Sequence, residues 1–505
     1  AQQPVHAAHT IEHDLSRRRH SAIPDVGLAK LPDKGQACVP DDACDEYFRS
    51  GHWVSMCGII LLHSIPVRNF YTTTLQNHPR GRDIVRIMNA CIEAVEPGNA
   101  VRRFVKLEKN LLHIDDETYH LDEFERVNVL GLGKATEAMS LALLDVLTPH
   151  PSRGLLIPKV AFDSPASGFT VSPGGHPVPT EASVLAGNAA FDLASSLTER
   201  DLLICLISGG GSALMTSPQH GLDLADLQTL TRLLLACGAR VDEINTLRRH
   251  LDRVKGGGVA RSANGARIIS LILSDVVDNP LEAIASGPTA PDPTTREDAL
   301  NILKKYDLLG KAPAAILKVL ENSSETPKSN NPIFERVQNA LVGSNSLAAG
   351  AGFEMAKSLG FQAHFLGDTW QGEARSVAID LCKFFKRNYE RPFCLIAGGE
   401  TTVTLRGHGK GGRNQELALA AAIEMNGLEN SMLIALATDG EDGPTDAAGA
   451  VVTGETIQRA KEKNIAADSF LENNDAYSFF DRFGDLLKPG PTGTNVNDLM
   501  MLFGF

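Results

Sequence analysis

The chain has 505 residues, of which 43% are hydrophobic and 22% charged, and its formal net charge is −13. These values predict a globular protein of two or three domains, and they disfavour a general nucleic-acid or acidic-membrane surface. An anionic ligand would therefore need a local basic pocket. The eight cysteines are scattered without the close pairs of a metal site, which fits a reducing compartment. Cys205 and Cys394 lie in apolar runs typical of a core.

Residues 1–55 are polar and lack hydrophobic periodicity, and the first methionine is Met56. Residues 57–82 contain arginines and aliphatic residues but no Asp or Glu, which is the composition of a mitochondrial transit peptide. In one interpretation Met56 is the natural start and the preceding residues have no structure. In the other they are an ordinary disordered extension. We predict that residues 1–79 form a disordered extension with a targeting segment, and we expect a mitochondrial or cytoplasmic location.

Apolar runs that lead directly into polar, glycine-rich or aspartate-containing loops recur along the first half of the chain. Hydrophobic periodicity predicts a helix at residues 83–95. Strands are predicted at residues 127–130, 155–157, 202–207 and 268–273. The loops that follow these strands are, in order, GLGKA (131–135), GGHPVP (174–179), SGGGS (208–212) and SD (274–275).

A predicted amphipathic helix at residues 242–255 ends in three glycines and carries Arg248 and Lys255 near its tail. The polar residues 320–332, rich in Pro and Ser, are typical of a linker or a surface loop. We therefore predict one domain at residues 80–325 and a second at residues 336–505.

The second half contains the most informative stretch, FCLIAGGETTVTLRGHGKGGRNQELALAAAIEM, at residues 393–425. It predicts a strand that ends at a glycine turn, a second strand at 401–405, a loop with four glycines, and a helix. Glycine lets a backbone crowd a ligand, and a helix start offers unpaired N–H groups and a positive dipole end. With Lys410 and Arg413 at the same point, this pattern predicts an anion site suited to phosphate. The alternative is a solvated hairpin loop beside an ordinary helix cap.

A further strand at residues 432–437 ends in Thr-Asp-Gly. The repeated order of strand, turn and helix predicts open α/β sheets with helices on both faces. In such sheets, ligands bind beyond the carboxyl ends of the strands, and the polar loops fall there.

Three segments resemble the glycerate 2-kinase family, which is also named after its C-terminal MOFRL domain. They are GGETTVTLRGHGKGGRNQELALA, ATDGEDGPTDAAGA at 437–450 and GPTGTNVNDL at 490–499. The resemblance extends from about Arg80 to the C-terminus. It implies a Rossmann-like first α/β domain with a mostly parallel sheet, a second α/β domain of MOFRL type, and an active site in the cleft between them.

The same resemblance implies ATP-dependent phosphorylation of D-glycerate at its 2-hydroxyl, giving 2-phosphoglycerate and ADP. It implies ATP and Mg²⁺ as cofactors and small molecules as the substrates, and it leaves a homo-oligomer open. Phosphoryl transfer requires mainly positioning and charge neutralisation, because its transition state is loose and highly charged. Neither GLGKA nor GHGKGG is a Walker A motif, since neither has the required early glycine or a Ser or Thr after the lysine.

The resemblance implies that Lys134 of GLGKA and Arg413 of GGRNQE are the catalytic residues. From the residues alone, Lys134 at a helix start is electrostatically disfavoured unless an anion joins it, and a solvated first-turn lysine is the alternative. Arg413 offers a planar fork for phosphate or carboxylate.

The loop at 208–212 resembles the family's SGGGSA loop and is predicted to cradle nucleotide phosphates, with a tight structural turn as the alternative. Its members are Ser208, Gly209, Gly210, Gly211 and Ser212. Lys410 and Lys255 are further candidates for phosphate binding. Lys255 would either neutralise a phosphate or cap its helix C-terminus.

Asp275 and Asp439 end strands and are the predicted Mg²⁺ ligands, one carboxylate each, although Asx-turns explain such aspartates as well. His176, Arg248 and Glu400 are predicted to bind the acceptor substrate. For His176, a structural role is the alternative.

Family members commonly read SDVVGD where this chain has Asp278 and Asn279 in place of the Gly-Asp pair. If the glycine has a positive φ, Asp278 would partly tolerate it, and the role of the family's second aspartate is in doubt. The rival function is an NAD(P)H-dependent hydroxypyruvate reductase. Its dinucleotide fingerprint needs a third glycine where this chain has Thr136, and about twenty residues further on no acid ends a strand. We therefore expect a kinase.

Overall fold

The computed structural model describes residues 68–505, so the predictions for residues 1–67 lie outside the described part of the chain. No helix in residues 68–505 is both long and apolar enough to cross a bilayer. The helices are α1 (Thr73–Asn77), α2 (Gly81–Ala94), α3 (Pro97–Phe104), α4 (Thr136–Leu147), α5 (Glu181–Ser195), α6 (Gly211–Leu214), α7 (Leu224–Ala236), α8 (Val241–His250), α9 (Gly258–Ser262), α10 (Arg296–Lys305), α11 (Ala314–Asn322), α12 (Asn345–Ser358), α13 (Ala374–Cys382), α14 (Arg413–Glu424), α15 (Thr456–Glu462), α16 (Ala467–Glu472) and α17 (Ala476–Asp481).

Two sheets are built from the first half of the chain. A small antiparallel sheet contains β1 (Val105–Glu108), β2 (Leu111–Ile114) and β3 (Glu117–His120). The large sheet contains β4 (Arg126–Leu132), β5 (Ser152–Ile157), β6 (Phe169–Val171), β7 (Asp201–Ile207), β8 (Arg267–Leu273) and β9 (Val337–Gly343). Its order is β6-β5-β4-β7-β8-β9, and every pair is parallel. The order reverses between β4 and β7 as in a Rossmann sheet, which predicts a ligand crevice at the carboxyl ends of these two strands.

The third sheet is mixed. It contains β10 (Gln362–Phe365), β11 (Trp370–Glu373), β12 (Phe393–Thr402), β13 (Ser431–Ala437), β14 (Gly449–Thr453), β15 (Leu486–Leu487) and β16 (Asp498–Gly504). Its order is β10-β12-β16-β13-β14-β15, with β11 pairing the end of β12. Strand β16 lies antiparallel to both β12 and β13, so the final strand of the chain is central.

The two large sheets are covered on both faces. All seven residues of β7, of β13 and of β16 are buried, although successive side chains point to opposite faces. Continuous apolar strands are typical of sheets between two helical layers. Cys205 of β7 and Cys394 of β12 are 1% and 0% exposed, which confirms the prediction that they are core residues.

The chain passes between the two large sheets twice. Helix α2 packs on α12 of the second half, whereas α3 packs on α4 and β9 of the first half. The second passage is immediate, because β9 leads directly into α12. Both passages are tied to one segment: Thr494 Oγ1 donates to the Val95 carbonyl at 2.6 Å, and Asn345 Nδ2 donates to the carbonyls of Val496 and Asp498 at 2.8 Å.

The sheets therefore divide the chain differently from the predicted domains. Strand β9, predicted in the second domain, completes the first sheet, and α2, predicted in the first domain, packs with the second. Residues 320–332, predicted as a linker or loop, pack on the first half: Thr326 is 5% exposed and donates to Asp292 at 3.0 Å. Local periodicity identifies an element, but the sheet or helix that it joins lies elsewhere in the sequence.

Residues 68–79 are part of the fold, so the prediction that they belong to a disordered extension is wrong. Phe70 and Leu75 are 0% and 1% exposed. The amide and hydroxyl of Thr74 donate to the two carboxylate oxygens of Asp485 at 2.8 and 2.9 Å. Two apolar anchors in a threonine-rich segment are too few to produce a periodic signal.

Strand β12 also differs from prediction, because it continues through Gly398 and Gly399 instead of ending at a turn. A Cβ at Gly398 would lie 1.6 Å from Asn345 Oδ1, and one at Gly399 would lie 2.0 Å from the Trp370 carbonyl. The two glycines thus permit close approach within a sheet. The helix predicted at 242–255 is shorter than expected, since α8 ends at His250.

Candidate active site

The loops after β4 and β7 interlock where the strand order reverses. The Lys134 amide donates to the Gly209 carbonyl at 3.0 Å, and the Ala135 amide donates to Ser208 Oγ at 3.0 Å. Gly133 has a φ of +115°, and a Cβ there would lie 2.3 Å from Ser208 Oγ. Because Ser208 is 1% exposed, its hydroxyl joins the two loops rather than facing a ligand.

The glycine turn, residues 209–212, carries free backbone donors. Among residues 68–505, the N–H groups of these four residues find no protein acceptor. Gly210 has a φ of +85°, and successive N–H groups in such a turn form a concave anion site. The Ser212 hydroxyl lies 2.7 Å from that of Ser286. This geometry supports a phosphate cradle made by the backbone of Gly209, Gly210, Gly211 and Ser212, with Ser208 as its support.

Lys134, His176 and Asp275 surround the glycine turn. A Cβ at Gly210 would lie 3.1 Å from His176 Cδ2 and 3.5 Å from Lys134 Cε. A Cβ at Gly209 would lie 2.0 Å from Asp275 Oδ2. Burial raises the pKa of Asp275, and the charge of Lys134 acts against that rise. Burial and the charge of Lys134 together lower the pKa of His176, which favours its neutral imidazole.

Carboxylates of the second sheet share this electrostatic environment. Burial raises the pKa of Asp439, which follows β13, whereas the charges of Arg413 and Lys134 act to lower it. The charge of Glu400, in β12, adds to the burial that raises the pKa of Asp275. The charge of Lys134 therefore acts on Asp275, which follows a strand of the parallel sheet, and on Asp439, which follows a strand of the mixed sheet.

Arg413 is held by two carboxylates. Its Nε and Nη2 donate to Asp498 at 2.6 and 3.1 Å, and its Nη1 donates to Glu400 Oε1 at 2.8 Å. Burial alone would lower the pKa of Arg413, but the charge of Asp498 and its hydrogen bonds raise it. Burial raises the pKa of Asp498 to about 6, against the opposing charge of Arg413. Two of the five guanidinium N–H donors are not used by these contacts.

Most backbone N–H groups of the loop between β12 and α14 are hydrogen-bonded within the chain. Five consecutive amides donate to residues 473–475 at 2.7–3.1 Å: Arg406, Gly407, His408, Gly409 and Lys410. Asn474 Oδ1 accepts two of them, and its amide nitrogen donates to Glu416 Oε2 at 2.9 Å. The glycines therefore let the loop lie against this segment.

Two amides at the start of α14 are likewise hydrogen-bonded within the chain. The amides of Asn414 and Gln415 donate to the carboxylate of Asp442 at 3.2 and 2.8 Å. Burial raises the pKa of Asp442 to about 7. A Cβ at Gly412 would lie 2.3 Å from Asp442 Cγ, so glycine is needed there. The prediction of unpaired N–H groups at this helix start is therefore wrong for Asn414 and Gln415, whose amides bind an internal carboxylate instead of an external anion. Among residues 68–505, the amides of residues 411–413 find no acceptor.

The two other lysines predicted to bind phosphate contact protein groups. Lys410 Nζ lies 3.8 Å from the ring centroid of Tyr477. Lys255 is 2% exposed, and its ammonium donates to three acceptors: Met215 O at 2.9 Å, Thr216 Oγ1 at 3.2 Å and the Asp252 carboxylate. All three of its donors are used. Lys255 lies beyond the end of α8 and therefore does not cap that helix.

Family models match two parts of the chain. The MOFRL family matches residues 393–498, and a domain of unknown function, DUF4147, matches residues 83–321. A glycerate 2-kinase of Pyrococcus horikoshii is 39% identical over 429 residues, which cover 83% of this chain and 96% of that protein. A D-glycerate 2-kinase of Thermotoga maritima is 38% identical, covering 83% of this chain and 96% of its own length. The chain belongs to the glycerate 2-kinase family.

A solved structure agrees with this membership. The crystal structure of a glycerate kinase from Thermotoga maritima matches with a TM-score of 0.76 and 36% identity, covering 84% of this chain and 99% of that one. A putative hydroxypyruvate reductase of Agrobacterium vitis is 37% identical over a smaller share, 74% of this chain and 86% of its own. The α/β fold with a mostly parallel sheet and a MOFRL domain, and the kinase class, are therefore confirmed for this family member, with ATP as co-substrate.

Asp275 and Asp439 are the candidate ligands for Mg²⁺. In the described part of the chain, no group of three or more His, Cys, Asp or Glu residues forms a metal site of its own. Asp439 Oδ1 accepts the Glu441 amide at 3.1 Å, which is an Asx-turn, but its other oxygen is not used by that turn. One or two carboxylates together with nucleotide phosphates are typical Mg²⁺ ligands. Asp275 and Asp439 therefore fit an ion that arrives with ATP.

Asp278 has a φ of +68°, and Asn279 follows at +51°. The left-handed conformation considered for Asp278 is thus present, and Asp and Asn are residue types that tolerate it. The Asn279 amide donates to the Val276 carbonyl at 3.1 Å, which closes a turn next to Asp275. The departure from the family pattern therefore occurs in a closed turn and moves its acidic residue one position earlier in the chain.

Sequence reasoning missed Asp498, Asp442 and Asn474, which hold Arg413, α14 and the glycine loop. Asp498 lies in GPTGTNVNDL and Asp442 in ATDGEDGPTDAAGA, two segments that resemble the family. Each acidic or amide residue in these two segments was therefore a candidate, but the sequence does not show which of them contacts Arg413 or the start of α14.

Proposed function

We propose that this chain transfers the terminal phosphoryl group of ATP to the 2-hydroxyl of D-glycerate, giving 2-phosphoglycerate and ADP. The observation that carries the proposal is that Lys134 lies beside the free N–H groups of the glycine turn and that its charge acts on two half-buried acids, each of which follows a strand of one large sheet. The transferring group carries negative charge on its oxygens, so a fixed cation beside backbone donors stabilises it. The relatives named for glycerate kinase activity supply the acceptor and its position.

On the nucleotide side, the N–H groups of residues 209–212 hold phosphate oxygens and Lys134 neutralises their charge. Asp275 and Asp439 would hold Mg²⁺, which when bound draws charge from the phosphate oxygens. Because these two acids come from different sheets, the site lies in the cleft between the two halves. Lys410 and Lys255 have no part in this assignment, since their ammonium groups face protein partners.

On the acceptor side, His176 and Glu400 orient glycerate. The neutral imidazole of His176 accepts the hydrogen of the 2-hydroxyl and takes the proton as the new O–P bond forms. At the same time, the bond from the terminal phosphorus to the bridging oxygen breaks and its electrons remain on ADP. Glu400 uses Oε1 for Arg413, which leaves Oε2 to accept a hydroxyl of glycerate. The two unused N–H donors of Arg413 contact the phosphoryl group in transfer.

We also propose a mitochondrial or a cytoplasmic location. The arginines typical of a transit peptide, Arg68, Arg80 and Arg82, lie in the folded part of the chain. A homo-oligomer is compatible with the mechanism above, which uses residues of one chain only.

The test is to incubate the protein with D-glycerate and ATP-Mg, and separately with hydroxypyruvate and NADPH. We expect 2-phosphoglycerate in the first reaction, identified by ³¹P NMR, and no NADPH oxidation in the second. The Lys134→Met variant is the control for a contaminating kinase. Formation of 3-phosphoglycerate alone would contradict the acceptor position, and NADPH-dependent reduction would contradict the kinase assignment.

A further inference from the structure

An apolar pocket lies between α7 and α8, outside the residues assigned above. Its walls include Leu227, Leu230 and Leu234 of α7 and Ile244 and Leu247 of α8. Leu230, Leu234, Ile244 and Leu247 also belong to the hydrophobic cluster that joins these two helices to α10 and α11. These four side chains are 1–5% exposed, whereas Leu227 is only half-buried and forms the accessible part of the apolar wall.

The pocket is continuous with the candidate active site. Ser212, the last residue of the glycine turn, lines it, as do Val178 and Pro179, which follow His176 in the chain. Val178 is 53% exposed and lies at the rim of the pocket. A ligand in this pocket would therefore extend from the leucine wall to the free N–H groups beside Lys134.

A single positive charge in the pocket lacks a carboxylate partner. Lys255 and Asp252 both line the pocket and neutralise one another. Arg248 lines it as well, and across the described residues its guanidinium forms no ion pair and reaches one acceptor, Asn245 Oδ1, at 3.5 Å. Burial lowers the pKa of Arg248, so enclosing this cation has a cost that an anionic ligand would offset.

We propose that this pocket binds the base and ribose of ATP, and that Arg248 and Ser212 contact its phosphates where they lead towards Lys134. The inference rests on the proposed kinase function. A purine has a flat apolar face that matches the leucine wall, whereas glycerate is a small hydroxy acid without one. Arg248, predicted as an acceptor-binding residue, thus serves the nucleotide instead.

The test fills the pocket and removes its charge separately. Leu227→Trp should raise the Kd for ADP about tenfold, a loss expected when one well-packed face is blocked, and should leave the Ki of inorganic tripolyphosphate and the KM for glycerate unchanged. Arg248→Met should raise both the Kd for ADP and the Ki of tripolyphosphate. Leu235→Trp is the matched control, because Leu235 is on the same helix, is 63% exposed and does not line the pocket.

Thr231→Phe enters the pocket from the same wall and replaces Leu227→Trp if that variant does not fold. A rise in the KM for glycerate with an unchanged Kd for ADP would overturn the inference and make the pocket an acceptor site. Unchanged constants in both pocket-filling variants would also overturn it while leaving the kinase function intact. Direct titration of ADP tests the nucleotide pocket independently of the kinase function. Wild-type protein that binds ADP through this pocket but does not phosphorylate glycerate would contradict only the proposed function.

Discussion

The guanidinium of Arg413 and the carboxylate of Asp498 form a bidentate pair, with N–O distances of 2.6 and 3.1 Å, and Asp498 is 0% exposed. The pair joins the start of α14 to the start of β16, which are 85 residues apart in the chain. A buried carboxylate depends on its partner, so Arg413 supports the fold in addition to its proposed role in the reaction.

Arg413→Ala should therefore lower both activity and stability. Loss of an arginine that contacts a transferring phosphoryl group lowers kcat by about 10³, and we expect kcat to fall more than KM rises. Leaving the buried Asp498 unpaired should cost about 3–5 kcal/mol of unfolding free energy. Arg413→Lys keeps the charge but loses the fork, so it should recover only part of kcat. Steady-state kinetics and urea denaturation measure the two effects.

The double variant Arg413→Met with Asp498→Asn separates these effects. It should be more stable than Arg413→Ala, because no unpaired carboxylate is buried, while kcat remains low. A strong rise in the KM for glycerate with kcat unchanged would mean that Arg413 grips the substrate carboxylate. Wild-type kinetics in folded Arg413→Ala would place the chemistry elsewhere.

The unfolding free energy should fall as pH rises towards neutrality. The pKa of Asp442 is raised to about 7 and that of Asp498 to about 6, from 3.8. The folded protein therefore holds these protons more tightly than the unfolded chain does, so protonation stabilises the fold and this stabilisation is lost as pH rises through the folded pKa. Each such proton contributes about 1.4 kcal/mol per pH unit within the window.

Asp442→Asn should flatten this dependence, as measured by urea denaturation at several pH values. Asp446→Asn is the control from the same loop: the Tyr477 hydroxyl lowers the pKa of Asp446, so this carboxylate titrates below the window. An unchanged slope in Asp442→Asn would contradict the assignment. Activity should follow the opposite trend, because Asp498 must be ionised to hold Arg413, and should decline below about pH 6.

Gly209→Ala should reduce kcat without a comparable loss of stability. The new Cβ would lie 2.0 Å from Asp275 Oδ2, so the carboxylate must move away from the glycine turn. Gly310→Ala is the matched control, because a Cβ there meets nothing within 4 Å. Kinetics as a function of Mg²⁺ concentration check the result. A wild-type response to Mg²⁺ in Gly209→Ala would remove Asp275 from the proposed metal site.

Removal of residues 1–77 should lower the melting temperature by several degrees relative to removal of residues 1–67. The shorter protein loses Phe70 and Leu75, which are fully buried, and the hydrogen bonds of Thr74 to Asp485. Leu75→Ala alone should cost about 2–5 kcal/mol, whereas Gln76→Ala, exposed on the same helix, should cost little. Equal melting temperatures would show that this segment does not stabilise the fold.

The sequence predicted most of the first sheet, because each buried strand ends in a loop whose glycine or aspartate is visible locally. β4, β7 and β8 agree with prediction within a few residues. β12 was broken in two because the reason for its glycines, the close approach of Asn345 and Trp370, comes from other parts of the chain. The sheet that β9 joins likewise depends on its pairing with β8, which the local sequence does not show.

The candidate site was likewise predicted only in part. Lys134, His176 and Asp275 follow strands of one parallel sheet, so topology alone brings their loops together. The glycine loop before α14 looked like an anion site because its donors are local, whereas their acceptors, Asp442 and Asn474, lie 27 or more residues away. A sequence displays the donors of a loop but not the residues that already occupy them.

The two passages of the chain between the sheets, at Val95 and at Asn345, limit how the halves can move. A single connection would allow one half to swing and twist freely, whereas two adjacent connections leave mainly rotation about the line that joins them. Both are hydrogen-bonded to residues 494–498, the segment that ends at Asp498. The axis of this rotation therefore lies beside Asp498, which holds Arg413. Opening for substrate entry would move the Arg413 guanidinium least and the far edge of the cleft most.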